Sequence, residues 1–185
     1  MITAQEIYST VERYLAKFPD ERQDLWELAN RNPREAQLLS RTEFRGHVTA
    51  GAVVVDSDWR VLHVKHRTLG RWLLPGGHLE AWDYSLPAAA LRELYEKTGI
   101  ATELVEPIAG FEDVPIDIDV HAIPSNLEKA EPEHRHFDFR YVFRASTTSI
   151  ELRRSEVTAW RWVQVDKIVC PDLAERLETV HRWIE

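Results

Sequence analysis

The stretch that decides the fold runs from Leu73 to Ile100 and reads LLPGGHLEAWDYSLPAAALRELYEKTGI. It opens with a Pro-Gly-Gly turn, and its second half has the features of a helix. Ser85 offers an N-cap oxygen, and Gly99 is the residue type that most readily ends a helix in a left-handed conformation. The spacing therefore predicts a tight loop followed by a helix over residues 85–98.

The predicted helix has an apolar side and a charged side, because residues three or four apart share a helix face. The mostly apolar stripe, expected to face a sheet, consists of Pro87, Ala90, Leu91, Leu94 and Thr98. The charged side, expected to point away from the sheet, consists of Arg92, Glu93, Glu96 and Lys97. On an isolated helix a solvated ion pair would explain these charges. The adjoining glycine turn favours a binding site instead, since glycine lets the backbone approach a ligand closely.

Oxygen atoms of the loop and the helix form a candidate metal site. The carboxylates of Glu93 and Glu96 converge on one face, and the Gly76 carbonyl belongs to the adjoining turn. Such oxygens are the ligands that Mg²⁺ and Mn²⁺ prefer in proteins. A metal held in this way is often shared with a diphosphate substrate.

The same stretch resembles the Nudix box, whose pattern is G-x5-E-x7-R-E-U-x-E-E-x-G-U, where U is aliphatic. Gly77 matches the first glycine, residues 92–94 match R-E-U, and Glu96 matches the first of the paired glutamates. Gly99 and Ile100 match the end of the pattern. The resemblance implies the Nudix fold, an α+β architecture (an α/β/α sandwich) in which helices flank a mixed β-sheet.

The resemblance also implies roles for these side chains. Glu93 and Glu96 would be catalytic and, with Gly76, would bind Mg²⁺ or Mn²⁺. Arg92 would orient the neighbouring glutamates rather than react. The general base would be Glu93 or a carboxylate outside the box, for which the candidates are Glu131, Glu133 and Glu156.

Three departures from the pattern affect this interpretation. Asp83 occupies the first glutamate position, and eight residues instead of seven separate it from Arg92. Lys97 replaces the second paired glutamate. A protonated lysine cannot bind Mg²⁺, and it repels a nearby cation. Either one metal remains while Lys97 binds a phosphate oxygen, or hydrolysis is lost while the pocket remains, or Lys97 extends into solvent.

Polar residues outside the box form a second candidate surface. The segment HRHFDFRYVFR alternates strictly, which predicts a strand with His134, His136 and Asp138 on one side. These side chains either line the pocket opposite the box and contact substrate, or lie on a polar surface face. Imidazoles and a carboxylate at this spacing would also suit Zn²⁺ or Mn²⁺. Arg71 and His78 flank the glycine turn, where they would contact substrate phosphates.

The chain divides by pattern into a helical N-terminal extension at residues 1–45 and a Nudix domain at residues 46–185. In the extension, Thr3 and Glu6 form a capping-box pattern, Asp20 is a candidate N-cap of a second helix, and Asn32 before Pro33 predicts the start of another helix at NPREAQLLSR. Strands are predicted at HVTAGAVVVD, RVLHVKH, around 101–111 and 114–121, and at HRHFDFRYVFRA and VTAWRWVQV. The segment TLGRWLLPGGHLE reads as a loop, and PDLAERLETVHRWI as a closing helix.

Composition limits the function classes. The net charge is −8, with 31 acidic and 23 basic residues, which argues against a partner bound through nucleic-acid phosphates. One cysteine, Cys170, expected as a buried thiol near a strand end, excludes an intrachain disulfide. With no signal peptide and no apolar run that could cross a membrane, a cytoplasmic setting without a membrane partner is expected. A homodimer is expected from the family resemblance alone.

The function expected from these features is metal-dependent cleavage of a phosphoanhydride bond in a nucleoside-diphosphate-linked or related small molecule. A catalytically weakened Nudix protein that binds a nucleotide-like ligand as a sensor is the alternative that Lys97 suggests. A Nudix-like isomerase would need a catalytic cysteine, but Cys170 lies far from the box in sequence. A nucleic-acid-binding regulator would need a basic helix-turn-helix segment, which neither end of the chain supplies.

Overall fold

The computed structural model describes residues 1–31, 37–127, 130–153 and 155–184. In these ranges eight strands form one sheet in the order β3-β2-β1-β7-β5, with β4 paired to β1, β6 to β7 and β8 to β2. The strands are β1 (His47–Val55), β2 (Arg60–His66), β3 (Trp72–Leu73), β4 (Gly76–His78), β5 (Val105–Pro107), β6 (Asp117–Ile123), β7 (His134–Ala145) and β8 (Val157–Gln164). The helices are α1 (Ala4–Lys17), α2 (Trp26–Ala29), α3 (Leu86–Thr98) and α4 (Pro171–Ile184).

The sheet is mixed because β1 and β7 run parallel while the other pairs are antiparallel. The parallel register joins His47 to His136 at one end and Val55 to Arg144 at the other. All nine residues of β1 are buried, as expected for a central strand that is covered on both faces. This register determines which polar side chains meet at the site.

Helices cover both faces of the sheet. Val48, Ala50, Ala52 and Val54 of β1 belong to one apolar cluster, which also contains residues of α1 and α3. Val53 and Val55 belong to a second cluster, which contains Leu173, Leu177 and Val180 of α4. Successive strand residues point to opposite faces, so one strand contributes to both cores. The predicted α/β/α sandwich is confirmed.

The N-terminal helix α1 packs into the first of these cores rather than lying apart from it. The predicted capping box is present, since the Thr3 side chain and Glu6 bond reciprocally at the start of the helix. Tyr14 is fully buried, and its hydroxyl accepts hydrogen bonds from the Ile118 amide at 3.3 Å and from Arg176 Nη1 at 2.7 Å. These bonds connect α1 to both β6 and α4.

The boundaries of β2, β7 and α4 match the sequence prediction, and α3 begins directly after Ser85 and ends at Gly99. The predicted loop around Pro75 is wrong in part, because β3 and β4 form there by pairing with β2 and β1. The predicted strand at 101–111 shrinks to β5 after a 3-10 helix at Thr102–Leu104. The strand expected at 114–121 lies later, as β6.

Three further predictions concern smaller features. Cys170 is half-buried just before α4 rather than fully buried at a strand end, and burial raises the pKa of its thiol. Asp20 lies within a 3-10 helix, Pro19–Arg22, rather than capping a new α-helix. Of the helix predicted at NPREAQLLSR, residues 32–36 lie outside the described part of the chain, and the remaining residues, 37–41, form turns rather than a helix. None of the described helices is both long and apolar enough to cross a bilayer.

Candidate active site

The glycine turn brings β4 against both β1 and α3. A Cβ atom at Gly76 would lie 2.9 Å from the Ala50 carbonyl oxygen, and one at Gly77 would lie 2.6 Å from the carboxylate of Glu93. Real Cβ atoms do not approach other atoms so closely, so Gly76, which meets backbone, requires glycine, and a side chain at Gly77 would have to displace the Glu93 carboxylate. The turn therefore seats the Glu93 carboxylate directly on the backbone.

Arg92 organises the charged residues of the box. Its Nε and Nη2 atoms donate to the two oxygens of Asp83 at 2.9 and 3.0 Å, a bidentate bond, and Nη2 also donates to the His78 carbonyl at 2.9 Å. Nη1 donates to Glu93 Oε1 at 2.9 Å and to Glu96 Oε2 at 3.2 Å. Burial disfavours the charged guanidinium, but the bonds to Asp83 and Glu93 outweigh it, so the pKa of Arg92 is raised. Arg92 thus positions three carboxylates at once.

Lys97 turns inward and bonds to two of the acidic residues. Its Nζ atom donates to Glu93 Oε2 at 2.8 Å and to Glu156 Oε2 at 2.8 Å. Burial lowers the pKa of Lys97, but Glu93 and Glu156 together outweigh burial and raise it. The hydrogen bond from Lys97 lowers the pKa of Glu156. Lys97 therefore carries a permanent positive charge between two carboxylates.

Glu93 and Lys97 lie on the charged side of α3, yet neither is solvated, and of the three alternatives for Lys97 the one in which it extends into solvent is wrong. Both residues are 6% exposed. The reason is tertiary: β4 covers Glu93, and the segment that carries Glu156 covers Lys97. Glu96, with 46% of its side chain exposed, is the box carboxylate that remains open to solvent.

A pocket of about 460 Å³ opens above these residues, a size that suits a small-molecule ligand. The box residues that line it are Gly76, Gly77, Arg92, Glu93, Glu96 and Lys97. Other polar residues on its walls include Arg41, His66, His78, Glu80, His121, His136, Asp138, Arg140 and Glu156. Side chains of both charges therefore line one cavity.

The structure brings some of the remaining candidates together and separates others. His78, His136, Asp138 and Glu156 line the pocket, whereas Arg71, His134, Glu131 and Glu133 are not among its lining residues. His134 instead lies beneath the pocket wall, 6% exposed. Of the three candidate bases outside the box, Glu156 is the one at the cavity.

Arg140 connects the pocket floor to the strands below it. It donates to Asp138 Oδ2 at 2.9 Å and to Asp117 and Asp119 at 2.8 Å each. Thr49 donates to the other oxygen of Asp138 at 2.8 Å. Asp138, which the alternation of β7 singled out, is thereby held at the cavity by hydrogen bonds to both of its carboxylate oxygens.

Two histidines beside the pocket were not predicted from the sequence. His47 at the start of β1 and His121 in β6 both pair in register with His136 of β7. Their ring centroids lie 4.7 and 5.6 Å from that of His136, and those of His78 and His134 lie at 5.2 Å. Burial and the neighbouring imidazoles lower the pKa of His136 to about 2. The pairing of β1 and of β6 with β7 brings His47 and His121 beside His136, and the sequence gives no local signal for these pairings.

A family model described as NUDIX domain matches residues 45–184. The chain belongs to the NUDIX family. A relative from Lactococcus lactis subsp. cremoris, named probable DHNTP pyrophosphohydrolase, is 32% identical over 124 residues, which cover 63% of this chain and 69% of the relative. An RNA pyrophosphohydrolase of Roseobacter denitrificans is 32% identical over 137 residues, covering 71% and 83%. The Nudix box predicted from the sequence is thus confirmed.

Solved structures show the same fold for the Nudix domain. An Ap4A hydrolase of C. elegans superimposes with a TM-score of 0.56 at 14% identity, covering 74% of this chain and 96% of the other. The E. coli dihydroneopterin triphosphate pyrophosphohydrolase superimposes with a TM-score of 0.55 at 20% identity, covering 71% and 92%. Together with the family match, these findings make the chain a Nudix-type hydrolase that acts on a diphosphate bond.

Proposed function

We propose that this Nudix domain uses one divalent ion, Mg²⁺ or Mn²⁺, to hydrolyse a phosphoanhydride bond in a nucleoside-diphosphate-linked or related small molecule. The observation that carries the proposal is the set of carboxylates that Arg92 holds against Gly77 at the pocket. A catalytic site has to keep its reactive groups in one geometry. A merely solvated helix face would not be braced in this way.

The donor set suits a single divalent ion. Glu96, Glu93 and the Gly76 carbonyl supply hard oxygen atoms of the type that Mg²⁺ prefers. Arg92 and Lys97 each donate to one oxygen of Glu93, so this carboxylate keeps only its remaining lone pairs for a metal. A bound ion would neutralise charge on the diphosphate and lower the pKa of a water molecule. The ammonium of Lys97 takes the place where the box pattern has another carboxylate.

The protein side chains then have separate tasks. Arg92 orients Glu93 and Glu96, and Lys97, charged at every physiological pH, donates to a phosphate oxygen of the substrate. Glu156 is the proposed general base, since it lines the pocket and 60% of its side chain is exposed to water. Its lowered pKa keeps it ionised, although it also makes Glu156 a weaker base. His78, His136 and Asp138 are proposed to contact the substrate from the opposite wall.

The test is hydrolysis of a panel of compounds with Mg²⁺, with Mn²⁺ and with chelator, measured by separating the nucleotide products and by assaying released phosphate and pyrophosphate. Following the names of the relatives, the panel includes DHNTP, Ap4A and a 5′-triphosphorylated RNA beside nucleoside triphosphates and nucleotide sugars. We expect metal-dependent turnover that falls about 100-fold or more in Glu96→Gln. Glu103→Gln, which changes an exposed acid outside the pocket lining, is the control.

The base is assigned with Glu156→Gln beside Glu131→Gln and Glu133→Gln. Loss of a general base lowers kcat by about 100-fold or more, and we expect this loss for Glu156 alone. Absence of turnover on every compound, with tight binding retained, would contradict the hydrolase and favour a ligand sensor. The cytoplasmic setting, the homodimer, the lack of a nucleic-acid partner and the domain division at residue 46 remain predictions.

A further inference from the structure

A cluster of imidazoles lies beneath the pocket wall, apart from the carboxylates of the box. His47, His134 and His136 each place a ring nitrogen within 4.8 Å of the others. His47 is 1% exposed and His134 is 6% exposed, so water does not solvate these rings. Three histidines from the starts of two adjacent strands thus share one small, enclosed space.

The hydrogen bonds of two of these rings determine which nitrogen faces the cluster. His47 Nδ1 lies 3.3 Å from the Glu43 carbonyl oxygen, and His134 Nδ1 lies 2.8 Å from the Pro132 carbonyl oxygen. A carbonyl oxygen can only accept, so Nδ1 carries the proton in both rings. Their Nε2 atoms are therefore unprotonated in the neutral imidazole. An Nδ1–H bond to a backbone carbonyl is also the usual outer contact of a metal-binding histidine.

The Nε2 atom of His47 is the observation that points to a ligand. It is buried and has no hydrogen-bond partner among the described residues. Buried polar atoms in folded proteins nearly always have a partner, and an orphan of this kind is often satisfied by an ion or a water molecule. His47 thus offers a buried lone pair on a ring whose centroid lies 5.1 Å from that of His134 and 4.7 Å from that of His136.

The spacing of the other two nitrogens fits a tetrahedral ion. His134 Nε2 and His136 Nε2 are 3.3 Å apart. Two ligands at about 2.0–2.1 Å from a tetrahedral Zn²⁺ are themselves separated by about 3.3 Å. Without an ion, His136 donates its Nε2 proton to His134, and binding requires only that this proton move to Nδ1 of His136. Imidazole nitrogens favour Zn²⁺ and related transition metals over Mg²⁺.

We propose that the Nε2 atoms of His47, His134 and His136 bind one divalent transition-metal ion of the Zn²⁺ class, at a site distinct from the carboxylates of the Nudix box. Three protein ligands leave a fourth position for water or a substrate atom, which is the pattern of open zinc sites. His136 also lines the pocket with His78 and His121, so the ion lies next to the cavity. This proposal does not depend on which substrate the enzyme hydrolyses.

The test measures metal binding by the chelator-treated full chain in excess Mg²⁺, which occupies oxygen-rich sites. Titration with Zn²⁺ should show one ion per chain, and Co²⁺ should give the intense visible bands of a tetrahedral complex. We expect His47→Gln and His136→Gln to weaken binding at least about 100-fold, since even the loss of an outer contact weakens metal binding by 10–100-fold. The controls are His63→Gln, a half-buried histidine on β2, and Glu96→Gln, and both should bind as the unchanged protein does.

Equal affinity in the histidine variants, or a weak octahedral Co²⁺ spectrum, would overturn the proposal. Thermal unfolding without metal shows whether each variant folds, and Zn²⁺ should raise the Tm of the unchanged protein but not that of the variants. X-ray absorption on the zinc-loaded, unchanged chain requires no variant. It should count three imidazole nitrogens at about 2.0–2.1 Å, and coordination by oxygen alone would refute the site. Because none of these measurements uses hydrolysis, the zinc-site proposal and the proposed hydrolase function are tested independently.

Discussion

At the scale of single residues, Lys97 distinguishes this site from the box pattern. Its ammonium is buried, bonds to Glu93 and Glu156 at 2.8 Å, and replaces a carboxylate in the pattern. A lysine in this position stabilises the metal-free fold because it neutralises acids that would otherwise repel one another. It also reduces the negative charge available to a metal.

Lys97→Glu should destabilise the metal-free fold and strengthen metal binding. In the absence of metal the variant would place a third acid beside Glu93 and Glu156, and we expect a loss of about 3 kcal/mol in the free energy of unfolding. At one fixed Mg²⁺ concentration the variant should gain more stability than a protein that keeps Lys97, because the added carboxylate strengthens its metal site; the gain is about 2.7 kcal/mol when that concentration is 100 times the Kd of the variant. Thermal unfolding with and without Mg²⁺ checks both values, with phosphate release measured in parallel. Lys167→Glu, at a side chain 72% exposed, is the control, and an equal Mg²⁺ effect on both proteins would contradict the prediction.

Gly77→Ala tests the contact between the turn and Glu93. The new methyl group would lie 2.6 Å from the carboxylate and must displace it. A displacement of about 1 Å in a catalytic group lowers activity about 100-fold, and we expect that loss in kcat of the best substrate. Gly70 has a positive φ, which asparagine tolerates, and nothing within 4 Å of an added Cβ, so Gly70→Asn should retain activity. Similar kcat values for both variants would refute the role of this contact.

At the scale of elements, β6 and β7 are joined by the charges below the pocket. Arg140 bonds to Asp117, Asp119 and Asp138, and 14% of its side chain is exposed. Burial raises the pKa of Asp117 to about 6, against the opposing effect of Arg140. The guanidinium is therefore what allows three carboxylates to lie together beneath the cavity.

Arg140→Met should destabilise the protein by about 3 kcal/mol at pH 7, because it removes the cation that three carboxylates share and leaves buried Asp117 with Arg176 as its other ion pair. The pKa of Asp117 would rise further above its ordinary 3.8, so the folded variant retains a proton that the unfolded chain releases. Its stability is then greatest at low pH and declines as the pH rises through the folded-state pKa. Urea unfolding at pH 5, 6 and 8 should show the deficit widening with pH. Arg135→Met on the same strand, 55% exposed, should show no such trend.

At the scale of the whole molecule, α1 completes the core that supports the Nudix site. Its buried residues share a cluster with β1, β7 and α3, and Tyr14 bonds to β6 and α4 through Ile118 and Arg176. The N-terminal segment therefore stabilises the domain from one face of the sheet. Its contribution can be separated into hydrogen bonding and packing.

Tyr14→Phe should lower the free energy of unfolding by about 1 kcal/mol, the net value of a lost hydrogen bond. Tyr14→Ala should lower it by about 3–5 kcal/mol, since it also creates a cavity in the core. Urea unfolding measures both, and Tyr84→Phe, at a residue 74% exposed, is the control. If Tyr14→Ala matched the control, α1 would be an appendage rather than a part of the core.

The sequence was sufficient for features that depend on local pattern. Helix α3 between Ser85 and Gly99 and the alternation of β7 follow from capping and periodicity. The Nudix-box motif in the same stretch indicated the family, the α/β/α sandwich fold and the hydrolase class. Each of these depends on residues close in the chain, whose physical preferences are readable without the fold.

Only the tertiary structure determined the contacts between segments that are distant in sequence. Lys97 looked solvent-facing from helix geometry, and only the approach of Glu156 and the cover of β4 bury it. His47 carried no signal until the parallel pairing of β1 and β7 placed it beside His136. Burial, pKa and the convergence of ligands depend on contacts between residues far apart in sequence, and such contacts exist only once the chain has folded.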